Sequence, residues 1–434
     1  MLYRIFYRFQ GGEGGRTMTT RTIQNAMNVR QSQIRRMYLY MFMIFTPGAV
    51  FSSFFPLYYR DIGYTDAMYG MQNAIMPIIG VVGNYLFGYV SDKFARMKPL
   101  ILGLILALIA VLYFVFHVTD PWTIMGLIFL FQFLWVPLMT LTDGMAMLAS
   151  RRLGDSYAVI RGFGAAGFAV SALIIGWLLD RLPGHAAMGW IMMALLAATG
   201  GVLLQIRDPR RPEADDREAP GKSGAPSRTE TADMSQFWKY VFTRRFLLFI
   251  AVLITYNMTL IFNDQYFSFL IRELDGTSFH IGLGWMLPAA TEVIVFLYLG
   301  RAGSQFRPLT MLAWSAVILG IRALVIYVTD WLPLILFMQA VQGIGIALFF
   351  IYLAEYMMDL IPDRFRASGQ AVMQVALSIG ATMTGSIIGA YIYSQWGNQA
   401  LFLVMGAVLA IAAGGFAAVD RLERRRERIE AASV

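Results

Sequence analysis

The chain contains no cysteine. That excludes disulfides, thiol catalysis, iron–sulfur clusters and cysteine-held zinc. Histidine is nearly as scarce: His117, His185 and His280 stand far apart, with no pair at metal-ligand spacing. Charge is sparse as well. Asp, Glu, Lys and Arg make up 14% of the 434 residues, against roughly a quarter in ordinary soluble domains. No catalytic Ser–His–Asp, metal or phosphate signature is present, so neither an enzyme nor a cofactor is expected. What remains is apolar: 58% of the residues are hydrophobic and the mean hydropathy is +0.58. So much apolar surface belongs in a bilayer rather than in water.

Two nucleotide-like motifs dissolve in this setting. Gly221-Lys222-Ser223 is half a P-loop, but Asp216 stands where the earlier glycine is needed and no strand precedes it. Residues 161–167, RGFGAAG, contain G-x-G-x-x-G at Gly162, Gly164 and Gly167, with Asp180 downstream. A dinucleotide turn needs a strand before it and a soluble helix after it. Here residues 156–179 form one apolar run broken only by Arg161. At membrane depth each backbone N–H bonds within its own helix, so the glycines read as a bare surface that lets a neighbouring helix approach. Asn73, Pro77, Gly80, Asn84 and Gly88 form a similar stripe, and Gly385 and Gly389 another.

A spanning helix needs about 20 mostly apolar residues. Twelve runs qualify: 37–59, 68–91, 99–118, 121–149, 156–180, 186–205, 244–271, 280–300, 308–328, 331–359, 366–395 and 398–418. Of the 35 Lys and Arg residues, 30 fall on one side of this arrangement. The other side holds Arg60, Arg181 and Arg272, and two arginines lie within spans. Positive residues stay in the cytoplasm, so both termini are cytoplasmic and the net charge of +8 reports topology, not nucleic-acid binding. The organisation expected is a basic, irregular cytoplasmic tail (1–36), a six-helix bundle (37–206), a linker (207–243), a second six-helix bundle (244–419) and a cytoplasmic tail (420–434). Four prolines and dense mixed charge make 207–236 a disordered linker, and 237–245 reads as an interfacial helix.

Ionisable residues inside a bilayer cost at least ~2.5–3.5 kcal/mol each and mark pathways. Six such residues lie deep: Asp143, Arg161, Asp264, Glu292, Arg322 and Glu355. Pairing accounts for Asp143 with Arg161, and for Glu292 or Glu355 with Arg322. Four acids against two arginines leave two carboxylates, which must be protonated or bound to a cation when buried. Helical periodicity places Leu348, Tyr352 and Glu355 on one stripe, and Asn257, Ile261, Asp264 and Ser268 on another. Gln339 and Gln342 add neutral hydrogen-bonding groups.

The segment Gly88-Tyr-Val-Ser-Asp92-Lys93-Phe-Ala-Arg96-Met-Lys98 resembles the signature loop of the major facilitator superfamily, with Ala95 in place of a usual second glycine. "LTDGMAM" followed by "YAVIRGFGAAGF" is similar to the fourth- and fifth-helix segments of the lactose permease, nucleoside permease and 3-phenylpropionate permease type of proton symporter. The resemblance implies an all-α membrane protein of twelve transmembrane helices in two bundles, working by alternating access in a bacterial cytoplasmic membrane. It implies that Asp143 and Arg161 bind a small organic solute of nucleoside, aromatic-acid or sugar type, and Phe168, Asn257, Asp264 and Gln339 are expected to complete that site from their positions on the spans. Glu292, Arg322, Tyr352 and Glu355 then couple protons, and Gly88, Asp92, Lys93 and Arg96 gate. Tyr352 stands where lactose permease has histidine, and Phe168 where it has the sugar-stacking tryptophan, so the resemblance does not extend to lactose itself. The expected partners are the solute, protons and the lipid bilayer, with the chain a monomer. Charge does not set direction, so a proton-driven drug or lipid exporter fits the same residues. A transport-dead sensor fits less well, since the coupling positions are all filled.

Overall fold

The computed structural model describes residues 20–94, 96–182, 185–208, 242–302, 306–361 and 366–432. Among these there is no strand. The helices are α1 (Thr20–Asp61), α2 (Asp66–Phe94), α3 (Lys98–Val115), α4 (Pro121–Leu153), α5 (Tyr157–Leu179), α6 (His185–Leu204), α7 (Arg244–Glu273), α8 (Ser278–Ala302), α9 (Pro308–Val328), α10 (Leu332–Leu360), α11 (Arg366–Val375) and α12 (Thr384–Ala432), with π-helical Ala376–Met383 between the last two. Short connectors are fixed by local chemistry. Asp120 accepts from the Thr123 N–H to start α4, and Gly154 ends it in the left-handed region at φ 60°, where glycine bears no Cβ penalty.

Eleven described helices are long and apolar enough to cross a bilayer. The last apolar stretch, Val372–Ile429, is 58 residues long, roughly 87 Å if straight. It is not straight, because Gly397 breaks it at φ 74°, ψ −173°. One expectation needs correcting. Residues 20–36 are not irregular but continue the first span as helix. The physical reason lies in the sequence, since no Gly or Pro interrupts residues 18–46. The expected linker and interfacial helix lie almost wholly outside the described residues, apart from 207–208 and 242–245.

The outer surface is apolar. Leu106, Ile294 and Ile411 are 68%, 66% and 67% exposed, which water would penalise and lipid would not. Helices α1–α6 pack on one another and α7–α12 do likewise, while α5 against α8 and α2 against α12 join the two sets. One apolar core runs through α1–α6 and continues into Phe262, Tyr266, Phe269, Tyr393 and Phe402 of the second set. A separate core, holding Phe249, Tyr256, Phe349, Tyr352 and Phe416, is confined to the second set. The two sets therefore share a core at one end only.

Glycines make these contacts possible. A Cβ on Gly167 would lie 2.1 Å from the Phe42 carbonyl oxygen, and one on Gly164 2.7 Å from the Phe45 ring, so α5 lies directly on α1. Gly162 meets open space and takes no part in that approach.

Candidate functional site

Between the two sets lies a cavity of about 290 Å³. The first set contributes Phe45 from α1 and Arg161, Ala165 and Phe168 from α5. The second contributes Asn263, Asp264 and Phe267 from α7, Gly284, Trp285, Pro288, Ala289 and Glu292 from α8, and Gln339, Gln342 and Ile346 from α10. A cleft of about 430 Å³ near Arg244, Arg245 and Glu423 is larger. It lies at helix ends, and Arg245 is paired with Glu423 at 2.7 Å, so the charged inner cavity is the stronger candidate.

Arg161 is held from two sides. Its guanidinium lies 4.2 Å from the centre of the Phe45 ring and its Nε 3.4 Å from Asp143 Oδ1. The ion pair is loose, since a tight charged N–H···O bond is about 2.8 Å. Asp143 Oδ1 makes no hydrogen bond among the described residues. Asp143 does not itself line the cavity, and reaches it through Arg161.

The opposite wall carries acids and amides. Asp264 and Glu292 both face the cavity. Arg322 sits behind the wall, 2% exposed. It donates from Nη2 to Asn263 Oδ1 at 2.8 Å and to Gln339 Oε1 at 2.7 Å, and from Nε to the Met338 carbonyl at 3.1 Å. No ion pair joins it to Glu292 or Glu355 among the described residues, unlike the pairing expected from the sequence. Pro288 has no N–H, so the Gly284 carbonyl four residues earlier loses its helical donor; both residues line the cavity. Phe168 meets Trp285 edge-on at 6.1 Å across the two sets.

Of the residues singled out in the sequence, Arg161, Phe168, Asp264, Glu292 and Gln339 come together here, with Asp143 and Arg322 one contact away. Asn257 is outside the lining and donates to Leu253 of its own helix. Tyr352 is buried in the core of the second set, and Glu355 is half-buried on α10 and off the lining. Gly88, Asp92, Lys93 and Arg96 lie at the end of α2 and in the turn to α3. Sequence reasoning missed Phe45, Asn263, Phe267 and Trp285. Asn263 adjoins Asp264 in sequence, and Trp285 lies between Gly284 and Pro288, the one signal that pointed to them.

Away from the cavity, the sets are tied at the end bearing Arg60 and Glu273. Arg60 pairs with Glu273 at 3.5 Å. Tyr69 donates to the Gln265 carbonyl, and Ser268 to that of Ser53. Asp180, which follows α5, accepts from the Ser278 and Phe279 N–H groups at 2.7 and 2.9 Å. It thereby caps the start of α8 in the other set.

A lipid-suited helical bundle with a charged cavity between two helix sets defines an integral membrane carrier. The chain belongs to a particular family of such carriers, the MFS_1-like family of the major facilitator type, whose model matches residues 34–404. It is 27% identical over 374 residues to the maltose permease of Geobacillus stearothermophilus, covering 84% of this chain and 88% of that one. It is 20% identical to the uncharacterized transporter YwbF of Bacillus subtilis, covering 88% and 93%. The fold superposes on the nucleoside transporter NupG with a TM-score of 0.74 at 16% identity, over 89% of this chain and 98% of that one. It also superposes on a bacterial homologue of the lysosomal transporter Spinster, with a TM-score of 0.65 at 11% identity, over 90% and 97%.

Proposed function

We propose that this transporter is a secondary active symporter that carries a neutral, hydroxyl-rich small solute of glycoside type, a sugar or nucleoside, together with a proton. The observation that carries the reading is the make-up of the cavity. Aromatic faces (Phe45, Phe168, Phe267 and Trp285) adjoin amide and carboxylate groups (Gln339, Gln342, Asp264 and Glu292). Aromatic rings stack on sugar or base faces, while amides and carboxylates bond hydroxyls. An organic acid suits the cavity less well. Its one lining cation, Arg161, already pairs with Asp143, and Asp264 and Glu292 would repel a second carboxylate. The relatives named for maltose and for nucleosides support the same class, since both solutes are neutral and carry ring hydroxyls.

In this reading Arg161 and Asp143 form the solute contact of the first bundle and the acids Asp264 and Glu292 exchange the proton. Their places on the cavity wall favour them over Glu355, which the resemblance implied. Gly397 divides the last apolar stretch, giving twelve spans. The termini are cytoplasmic, so the tied end near Arg60 faces outward and the solute exchanges with the cytoplasm. Gly88, Asp92, Lys93 and Arg96 gate that side in a bacterial cytoplasmic membrane, and the chain works as a monomer.

The test is accumulation of radiolabelled maltose and uridine in proteoliposomes under an inward proton gradient. Accumulation that collapses with a protonophore supports symport. Solute efflux driven by the same gradient would instead establish the exporter reading, and equilibration unaffected by the gradient would remove proton coupling.

A further inference from the structure

We infer that Arg322 acts on the solute through two side-chain amides, fixing which atom each presents, rather than through a direct ion pair with a buried acid. The inference rests on the cavity being the solute site. Helix α9, which carries Arg322, contributes no residue to the cavity lining. Arg322 therefore cannot meet a solute there directly. What it meets are Asn263 Oδ1 and Gln339 Oε1, both from one nitrogen, at 2.8 and 2.7 Å.

A guanidinium only donates. Any amide bonded to it must present oxygen, so the orientation of both amides follows from chemistry. With each oxygen turned to Arg322, each NH2 group is turned the other way. The Gln339 NH2 is left for the cavity that Gln339 lines.

A third amide completes the pattern. Gln342 lies three residues on, on the same face of α10. It lines the cavity and is 5% exposed. Its Oε1 has no hydrogen-bond partner among the described residues, and a buried acceptor left unmet costs about 1–3 kcal/mol. Gln339 thus supplies a donor and Gln342 an acceptor, side by side. That combination reads a pair of neighbouring hydroxyls: one accepts from Gln339 Nε2 and the other donates to Gln342 Oε1. Sugars and the ribose of nucleosides both carry such a diol. Without Arg322 the Gln339 amide is free to turn over, and the wall loses its fixed polarity.

The experiment uses the full chain in detergent. Gln339→Glu keeps an oxygen for Arg322 and deletes the NH2 donor. Its melting temperature without solute is expected to match or exceed the parent's, while maltose or uridine binding weakens about tenfold. Unchanged binding of the probe that stabilises the parent overturns the inference. In proteoliposomes Arg322→Lys, a point charge without the fork, is expected to weaken solute affinity and leave the pH profile of uptake in place. Retained affinity with a shifted or abolished pH profile would establish the counter-ion role instead. A solute-free cycle decides the arrangement independently. Arg322→Met alone should lower the melting temperature by several degrees. The triple variant with Asn263→Leu and Gln339→Leu should recover most of that loss, since removing both sides of a buried bond is nearly neutral. A triple variant no more stable than the single one overturns the inference. If the parent binds neither probe, the glycoside reading fails and this cycle still decides the role of Arg322.

Discussion

In the proposed site, Arg161 is the residue on which the first bundle's side depends. It stacks on Phe45 at 4.2 Å and pairs loosely with Asp143 at 3.4 Å. Arg161→Ala is expected to weaken solute binding tenfold or more, measured by titration in detergent. Stability should change by no more than about 1 kcal/mol, because both partners are over a third exposed and such pairs contribute little. Arg161→Lys should rescue binding only in part, since an ammonium lacks the flat face that lies on the ring. The Asp143–Arg161 pair was legible in the sequence, because two opposite charges on adjacent spans have few other ways to be buried. The surroundings of Arg322 were not. Charge counting pairs an arginine with acids, whereas this one bonds Asn263, Gln339 and a carbonyl. Neutral partners leave no charge signal, so they emerge only from the packing of α7, α9 and α10.

At the scale of elements, the glycine stripe on α5 was legible as a packing surface, but its partner was not. Hydropathy marks a bare face without saying which helix covers it. Contact geometry separates the three glycines. Gly167→Val should abolish folding, because even a Cβ would lie 2.1 Å from the Phe42 carbonyl oxygen; Gly162→Ala, facing open space, should fold normally. Monodisperse yield after size-exclusion chromatography reads both. Asp180 began as a chance follower of a glycine motif and is instead the cap that ties α5 to α8. Removing a capping side chain costs about 1 kcal/mol, or roughly fivefold in an equilibrium. Asp180→Ala should therefore raise the population in which the tied end is open. Because the chain has no cysteine, a single probe reports without background. Ser53 is fully buried at that end, so maleimide labelling of S53C should run roughly fivefold faster with Asp180→Ala. An unchanged rate would mean the cap does not restrain that end.

At the scale of the molecule, composition alone called for a bilayer, and the apolar outer face agrees with it. Span counting gave twelve apolar runs, whereas eleven helices among the described residues are long and apolar enough to cross. It differed from the helix count only at Gly397, where a single residue at φ 74° divides an otherwise continuous apolar stretch. The cavity was partly legible: deep charges flagged Arg161, Asp264 and Glu292, while Phe45, Phe267 and Trp285 were hidden among dozens of aromatics that face lipid or core. The proposed alternating access would hinge at the end where the two sets share a core and part at the other, where a core is confined to the second set. The proposed symport requires that solute and proton occupy the cavity together. The most direct measurement is the external pH of weakly buffered proteoliposomes when maltose or uridine is added with no gradient imposed. The expected result is a transient alkalinisation that accompanies uptake of the labelled solute and is lost in the Asp264→Asn, Glu292→Gln double variant. Solute entry with no pH change would contradict proton symport through this cavity.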